Sequence, residues 1–455
     1  MHDDRDDNNA VSRSVPDGTS AARLAERGLR YALVDTASDA VLDAWLQADR
    51  RGFHAPAPPA DSMPRRRDAI RGLRLIGVWD DAAPAGARPD VPIATTVSWP
   101  NELTVPGGAL PMYAISSVTV APTHSGRGIA RAMVEGELRA ASSAGFAIAG
   151  LTVSESTLYG RYGFGPAAMA AEITIETGRA RWTGPEGPGT VVFVDINEAP
   201  ALFGAVHERA RLLSPGDVST RGDFWASLTG ADEPDAESTR ARRFVVYREP
   251  DGEPTGAAMY HLTKHPDVFS KHTLEVGCLT AASDAAAGAL WRYLLSVPLV
   301  QTVKAPLRPV DDPVRWLIGD FRAAAVTVVD HHWLRILDVP RALESRTYAV
   351  PGRLELVVRD ALGFAAGRFS MIVDDAGRAV VARLADAPER DAGADASPGE
   401  HMELDAQALA SLYLGGVSAD VLARAGRLGP RSRGAVETVD RMFRTARAPW
   451  LSTWY

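Results

Sequence analysis

The 455-residue chain has one cysteine, Cys278, which excludes an internal disulfide framework and any cysteine-rich metal centre and suits a reducing compartment. Lysine is nearly absent: only Lys264, Lys271 and Lys304 occur, the rest of the cationic complement being arginine. Nor is there a basic surplus, because the net charge is −8, so nucleic acid and anionic membranes are not expected partners. No apolar run approaches the ~18 residues of a membrane span. The opening "MHDDRDDNNAVSRSVPDG" lacks the basic-then-apolar order of a signal peptide. Residues 1–28 are expected to form a disordered tail.

What remains is ordinary globular material in a chain too long for one core. From Leu29 to about residue 180, strands and helices alternate, beginning with "LRYALVDT" and a helix capped by Ser38, which predicts a mixed α/β domain. From 187 to 330 the theme repeats, with "CLTAASDAAAG" standing where "VTVAPTHSGRG" stood before, a degenerate copy of the first fold. From 331 to 455 strands such as "LELVVRD" and "GRFSMIVDD" precede helices, with a low-complexity loop "APERDAGADASPGEHME" between them, so the last region reads as α+β. The chain closes on "PWLSTWY", whose Trp450, Leu451, Trp454 and Tyr455 are expected to be buried.

The chemistry concentrates in "SVTVAPTHSGRGIARAM". Gly126 and Gly128 stand where a strand turns into a helix. Glycine permits positive φ and close backbone approach, and the first amides of a helix present the positive end of its dipole. Such a junction suits a phosphate or pyrophosphate, and Arg127 and Arg131 add charge. A plain tight turn is the competing reading. The dinucleotide fingerprint is excluded because its third glycine is missing, and the lysine of a P-loop is absent too. His331 and His332 adjoin Trp333, but no further ligand stands at metal spacing, so no metal is expected.

"SGRGIA" resembles the pyrophosphate loop of Gcn5-related N-acetyltransferases, Arg/Gln-x-x-Gly-x-Gly/Ala, with Ser125 departing at the first position. Together with "SESTLYGRYGFGPA", "WLRILDVPRALESRTYA" and "LASLYLGG", it is similar to the enhanced intracellular survival (Eis) acetyltransferases within that superfamily. The resemblance implies an α/β fold of two tandem mixed-sheet acetyltransferase domains, the second copy degenerate, plus an α+β sterol-carrier-like C-terminal domain. It implies acetyl-CoA as co-substrate, lying along Val118, Thr119 and Val120, with its pyrophosphate on Gly126, Arg127, Gly128, Ile129, Ala130 and Arg131 and its reactive end near Ser154 and Glu155. Tyr159 matches the general acid and the carboxylate of Tyr455 the general base. The acceptor implied is a primary amine of a small molecule, possibly an aminoglycoside. Against that, Trp454 stands where aminoglycoside-modifying relatives carry an acid. A peptide-lysine acetyltransferase and a non-catalytic lipid or small-molecule carrier remain alternatives. The family resemblance also implies a homo-hexamer, and the lone Cys278 suits a cytoplasmic location.

Overall fold

The computed structural model describes residues 15–84, 87–385, 400–430 and 433–455. Expectations for residues 1–14, and for most of the low-complexity loop, lie outside the described residues. Order begins earlier than composition suggests. Helix α1 (Gly18–Ala25) is capped by Asp17, whose carboxylate accepts from the Ser20 amide at 2.7 Å, and it buries Ser20 and Leu24. The helix is docked by distant partners, which local composition does not reveal: Arg139 pairs with Asp17 at 2.8 Å and Arg23 with Glu135 at 3.0 Å.

The first half then supplies β1 (Leu29–Leu33), α2 (Asp39–Gly52), β2 (Arg74–Asp80), β3 (Ala94–Val105) and β4 (Gly108–Val120). It continues with α3 (Ile129–Ser143), β5 (Ile148–Thr152) and β6 (Gly165–Glu176). As expected, Ser38 caps α2, accepting from the Val41 amide at 3.4 Å. The second half supplies β7 (Thr190–Phe193), β8 (Arg243–Arg248), β9 (Pro254–Thr263), β10 (His272–Ala281), α4 (Asp284–Ser296), β11 (Val300–Arg308) and β12 (Ala324–Ile336).

All twelve strands form one sheet, in the order β1-β2-β3-β4-β5-β12-β6-β11-β10-β9-β8-β7. Each half is therefore completed by the other's last strand. β12 runs antiparallel to β5, and β6 runs antiparallel to β11. The two exchanged strands lie side by side at the centre, from Ala324↔Ile175 to Leu334↔Gly165. This reciprocal exchange supports the reading of a second copy. It also means that the boundary expected at 330/331 falls inside β12, and that no cut between the halves leaves two closed sheets.

The third region is a five-stranded sheet, β15-β14-β13-β16-β17, built from β13 (Gly352–Arg359), β14 (Gly367–Val373), β15 (Ala379–Leu384), β16 (Glu400–Asp405) and β17 (Leu428–Pro430). Its helix α5 (Ala406–Tyr413) packs on β6 and β12, and a single buried core runs from Trp45 and Leu103 in the first half to Leu356, Phe369 and Leu409 here. The glycines of "YGRYGFG" serve that docking. A β-carbon on Gly165 would strike the Gln407 carbonyl, and one on Gly163, at φ +81°, would lie 2.8 Å from Arg335 Nε. Among the described residues no helix is long and apolar enough to cross a membrane.

Candidate active site

The site is built where β4 and β5 part. The two strands pair in parallel only at Tyr113↔Ala149 and Ala114↔Gly150. Beyond them β4 keeps its partner β3 on one side, with a register shift, and Ser117 takes φ +52°. The stretch from Ile115 to Val120 is thus left without a β5 partner, and its peptide groups face a wedge between diverging strands. A chain of amide groups with the same spacing satisfies such an edge by adding to it as a strand does.

The edge runs into the glycine turn. Gly126 and Gly128 adopt φ +75° and +70°, and Gly128 is the N-cap of α3 with no side chain closing the first turn. The first amides of a 15-residue helix are therefore left uncapped by any side chain beside a loop that a β-carbon would strain. Arg127 and Arg131 are both exposed, and Arg131 also pairs with Glu135 at 2.6 Å. Arg27, just after α1, donates to the Arg127 carbonyl and holds the loop's shape. Two of the expected cofactor residues turn their side chains into the fold. The Ile129 side chain is buried beside Leu24 and Met133, and Thr119 is buried with its hydroxyl on Thr95 Oγ1 at 2.6 Å.

At the far end of the wedge lies a cavity of about 280 Å³. Ile115 to Val118, Leu151, Thr152 and Ser154 line it on the strand side, and Tyr159, Phe53, Trp454 and Tyr455 close it. Tyr159 ends the single helical turn Ser156–Tyr159, its ring edge-on to Phe164 at 6.1 Å. Burial, with the neighbouring Tyr162 and Glu155, pushes its phenol up to about 12, so it keeps its proton at any physiological pH. Glu155 is exposed at the start of that turn and does not line the cavity.

The last six residues lead to this cavity, which Trp454 and Tyr455 reach, under a grip that the sequence did not disclose. The Trp450 amide donates to the Pro215 carbonyl at 2.8 Å, and its indole N–H donates to the Leu307 carbonyl at 2.9 Å. Asp217 accepts from the Ser452 amide and hydroxyl at 3.2 and 3.1 Å. His331 Nε2 donates to the Thr453 carbonyl at 2.9 Å. Thr152 Oγ1 donates to the main-chain oxygen of Tyr455 at 2.9 Å, while its cross-strand partner His332 meets the Tyr455 hydroxyl at 2.6 Å. His332 Nδ1 also faces the Gly216 carbonyl at 3.0 Å and must carry the proton there. Burial, reinforced by His331, pushes His332 down to about 3, so the ring is neutral and its Nε2 accepts from the Tyr455 phenol. Gly150 makes room for this pair, since a β-carbon there would lie 2.8 Å from the Tyr455 hydroxyl.

Trp450 and Leu451 are buried, as expected; Tyr455 is only partly buried, packed against the core, and Trp454 is exposed. It is 55% exposed, its ring edge-on to His331 at 4.4 Å, because alternate residues of an extended tail face opposite ways. His331 and His332, set aside as a metal pair, turn out to hold the tail, and among the described residues no group of three potential ligands gathers for a metal.

Residues 34–167 match a family model for an acetyltransferase (GNAT) domain, 217–336 match a second such model, and 339–452 match a sterol carrier protein domain. An uncharacterized N-acetyltransferase of Streptomyces avermitilis is 36% identical over 89% of this chain and 94% of its own length. The N-acetyltransferase Eis of Mycobacterium tuberculosis is 33% identical over 75% of this chain and 80% of its own. The crystal structure of Eis1 from Mycobacterium abscessus superposes with a TM-score of 0.76 at 30% identity, covering 94% of this chain and all of that one. The chain belongs to the Eis-like acetyltransferases.

As an Eis-like enzyme it has two acetyltransferase domains, of which only the first carries the paired glycines and arginine at the strand-to-helix junction; at the corresponding point of the second, Ser283 caps α4 by accepting from the Ala286 amide at 3.1 Å. Sequence reasoning alone missed Phe53, Thr152, Gly150 and Asp217 at the site. Only the adjacent histidines offered a signal, and they offered it without a partner.

Proposed function

We propose that the first domain transfers an acetyl group from acetyl-CoA to a primary amine of a small molecule by direct attack on the thioester. The observation that carries this reading is the single cavity in which the unpaired edge of β4, Tyr159 and Tyr455 meet. Pantetheine lies against Val118 to Val120, bonded through their peptide groups, and the pyrophosphate sits on the amides from Gly126 to Arg131. Ser154 stands near the thioester.

An alkyl ammonium must lose a proton before it attacks. The carboxylate of Tyr455, held by Thr152 and kept at the cavity by the ring's bond to His332, accepts that proton, directly or through water. The nitrogen bonds to the acetyl carbon, the carbonyl oxygen gains charge, and backbone N–H groups of the β4 edge stabilise it. The C–S bond then breaks, Tyr159 protonates the departing thiolate, and the second proton that the nitrogen sheds on becoming an amide returns to the tyrosinate through water. A tyrosine held near 12 is a weaker acid than a thiol of about 8.5, so the transfer is uphill taken alone and goes forward because collapse to the amide and reprotonation of the tyrosinate follow it. The reaction belongs in the cytoplasm, which supplies acetyl-CoA and keeps Cys278 reduced.

Titration of acetyl-CoA by calorimetry tests the cofactor half of this reading. Gly128→Val places a branched side chain at φ +70°, with its β-carbon 3.0 Å from the Arg27 guanidinium. It should weaken acetyl-CoA binding by at least about tenfold. Unchanged affinity in a folded variant would remove the pyrophosphate from this loop. Assembly is a separate proposal: the family resemblance implies a homo-hexamer, and light scattering at micromolar protein should return six times the chain mass. A monomer mass refutes it.

A further inference from the structure

Resting on that reading of the site, we infer that the acceptor is an amine carried on an aromatic or apolar body and not a polycation. None of the residues that line the cavity has a charged side chain. Its floor and walls are Ile115, Val118, Leu151 and the hydroxyls of Ser116, Ser117 and Thr152; its mouth is Phe53 and Trp454. Those two rings are the exposed aromatic part of the lining, 52% and 55% accessible, where a bound molecule's body would rest. Asp49 does not line the cavity, and burial raises its carboxyl above the usual range, which weakens it as a counter-charge.

The single fixed negative charge that this geometry offers is the carboxylate of Tyr455, and it is matched by one ammonium. Every additional ammonium brought into the cavity would give up water beside aromatic and aliphatic surface with no carboxylate to meet it. An aromatic or alkyl body in the same place gains from burial, and the Trp454 and Phe53 rings offer it edge and face contacts. The two rings are placed by the fold. Phe53 follows Gly52, whose missing side chain lets the end of α2 settle directly on Thr119. Trp454 is turned outward by the bonds that fix Ser452, Thr453 and Tyr455 on either side of it.

The test compares kcat/KM for 2-phenylethylamine and spermidine at saturating acetyl-CoA, with Trp454→Glu and Phe53→Ala alongside. Phenylethylamine should be preferred by at least about tenfold, the scale that pocket contacts confer on apolar discrimination. Phe53→Ala should raise KM for phenylethylamine, and Trp454→Glu should move the ratio toward spermidine several-fold. Acetyl-CoA-induced thermal stabilisation, measured on each protein, reports the cofactor site independently. Stabilisation by acetyl-CoA together with equal or better use of spermidine overturns the acceptor class alone. So does stabilisation with no turnover of any arylalkylamine. Absence of stabilisation in the unmodified protein overturns the acetyltransferase reading of the site itself.

Discussion

Protein extended by a short peptide after Tyr455 should bind acetyl-CoA normally and acetylate its amine about 10²–10⁴-fold more slowly, the range that a positioned general base contributes. Extension converts the carboxylate into a peptide carbonyl, which is uncharged and a far weaker base. Four residues of the tail that carries it, Trp450, Ser452, Thr453 and Tyr455, are hydrogen-bonded to the rest of the protein, so the added chain displaces little of the fold. Calorimetry with acetyl-CoA and a turnover assay separate the two effects. An unimpaired rate in the extended protein would sink the terminal-base mechanism. Tyr455→Phe is the informative companion. On sequence alone it is expected to be tolerated, because ring and carboxylate both survive. The structure argues otherwise: it leaves the buried Nε2 of His332 without its donor. An unsatisfied buried acceptor costs about 1–3 kcal/mol. This variant should therefore lose some activity, but much less than the extended protein, since the carboxylate is still present.

Tyr159→Phe should lower kcat by about 10²–10³-fold while KM for acetyl-CoA changes little, because the phenol acts on a charge that exists only as the C–S bond breaks. The substitution preserves the ring's edge contact with Phe164 and its burial, so stability should hold. The pH profile carries a further signature. With the phenol held near 12, the alkaline limb of the wild-type rate should show no descent between pH 7 and 10 from loss of its proton. If Tyr159→Phe turns over at the native rate, another group, or water, protonates the thiolate.

Much of the first domain was legible from its residues. The glycine turn announced itself by chemistry: φ of +75° and +70° is a conformation that two glycines between strand and helix almost require. Ser38 announced α2 by the same kind of rule. β6 did not announce itself, because "GPAAMAAEITIE" is rich in alanine, a poor strand former, and lies at the centre of a sheet where neighbours on both sides override propensity. β12 was missed for a different reason. Its last residues pair with β5, more than 170 positions earlier, and no local pattern encodes which partner a strand will find. The tail's grip escaped on the same ground. His331 and His332 act on Thr453 and Tyr455 because the exchanged strand carries them there, and Asp217 reaches Ser452 from a loop bridged to β3 at Leu103↔Val218.

The exchanged strands also set an order of assembly. On the ribosome, β5 emerges early, yet the edge that β12 will cover stays open while well over a hundred further residues are made. During that interval the nascent first domain presents unpaired peptide groups next to an apolar surface, the condition under which chains pair with the wrong partner. Sheet closure waits on contacts of very large sequence separation, which are slow to form. The cavity beside the open β4 edge closes later still, because Trp454 and Tyr455, which line it, are made after every strand of both sheets.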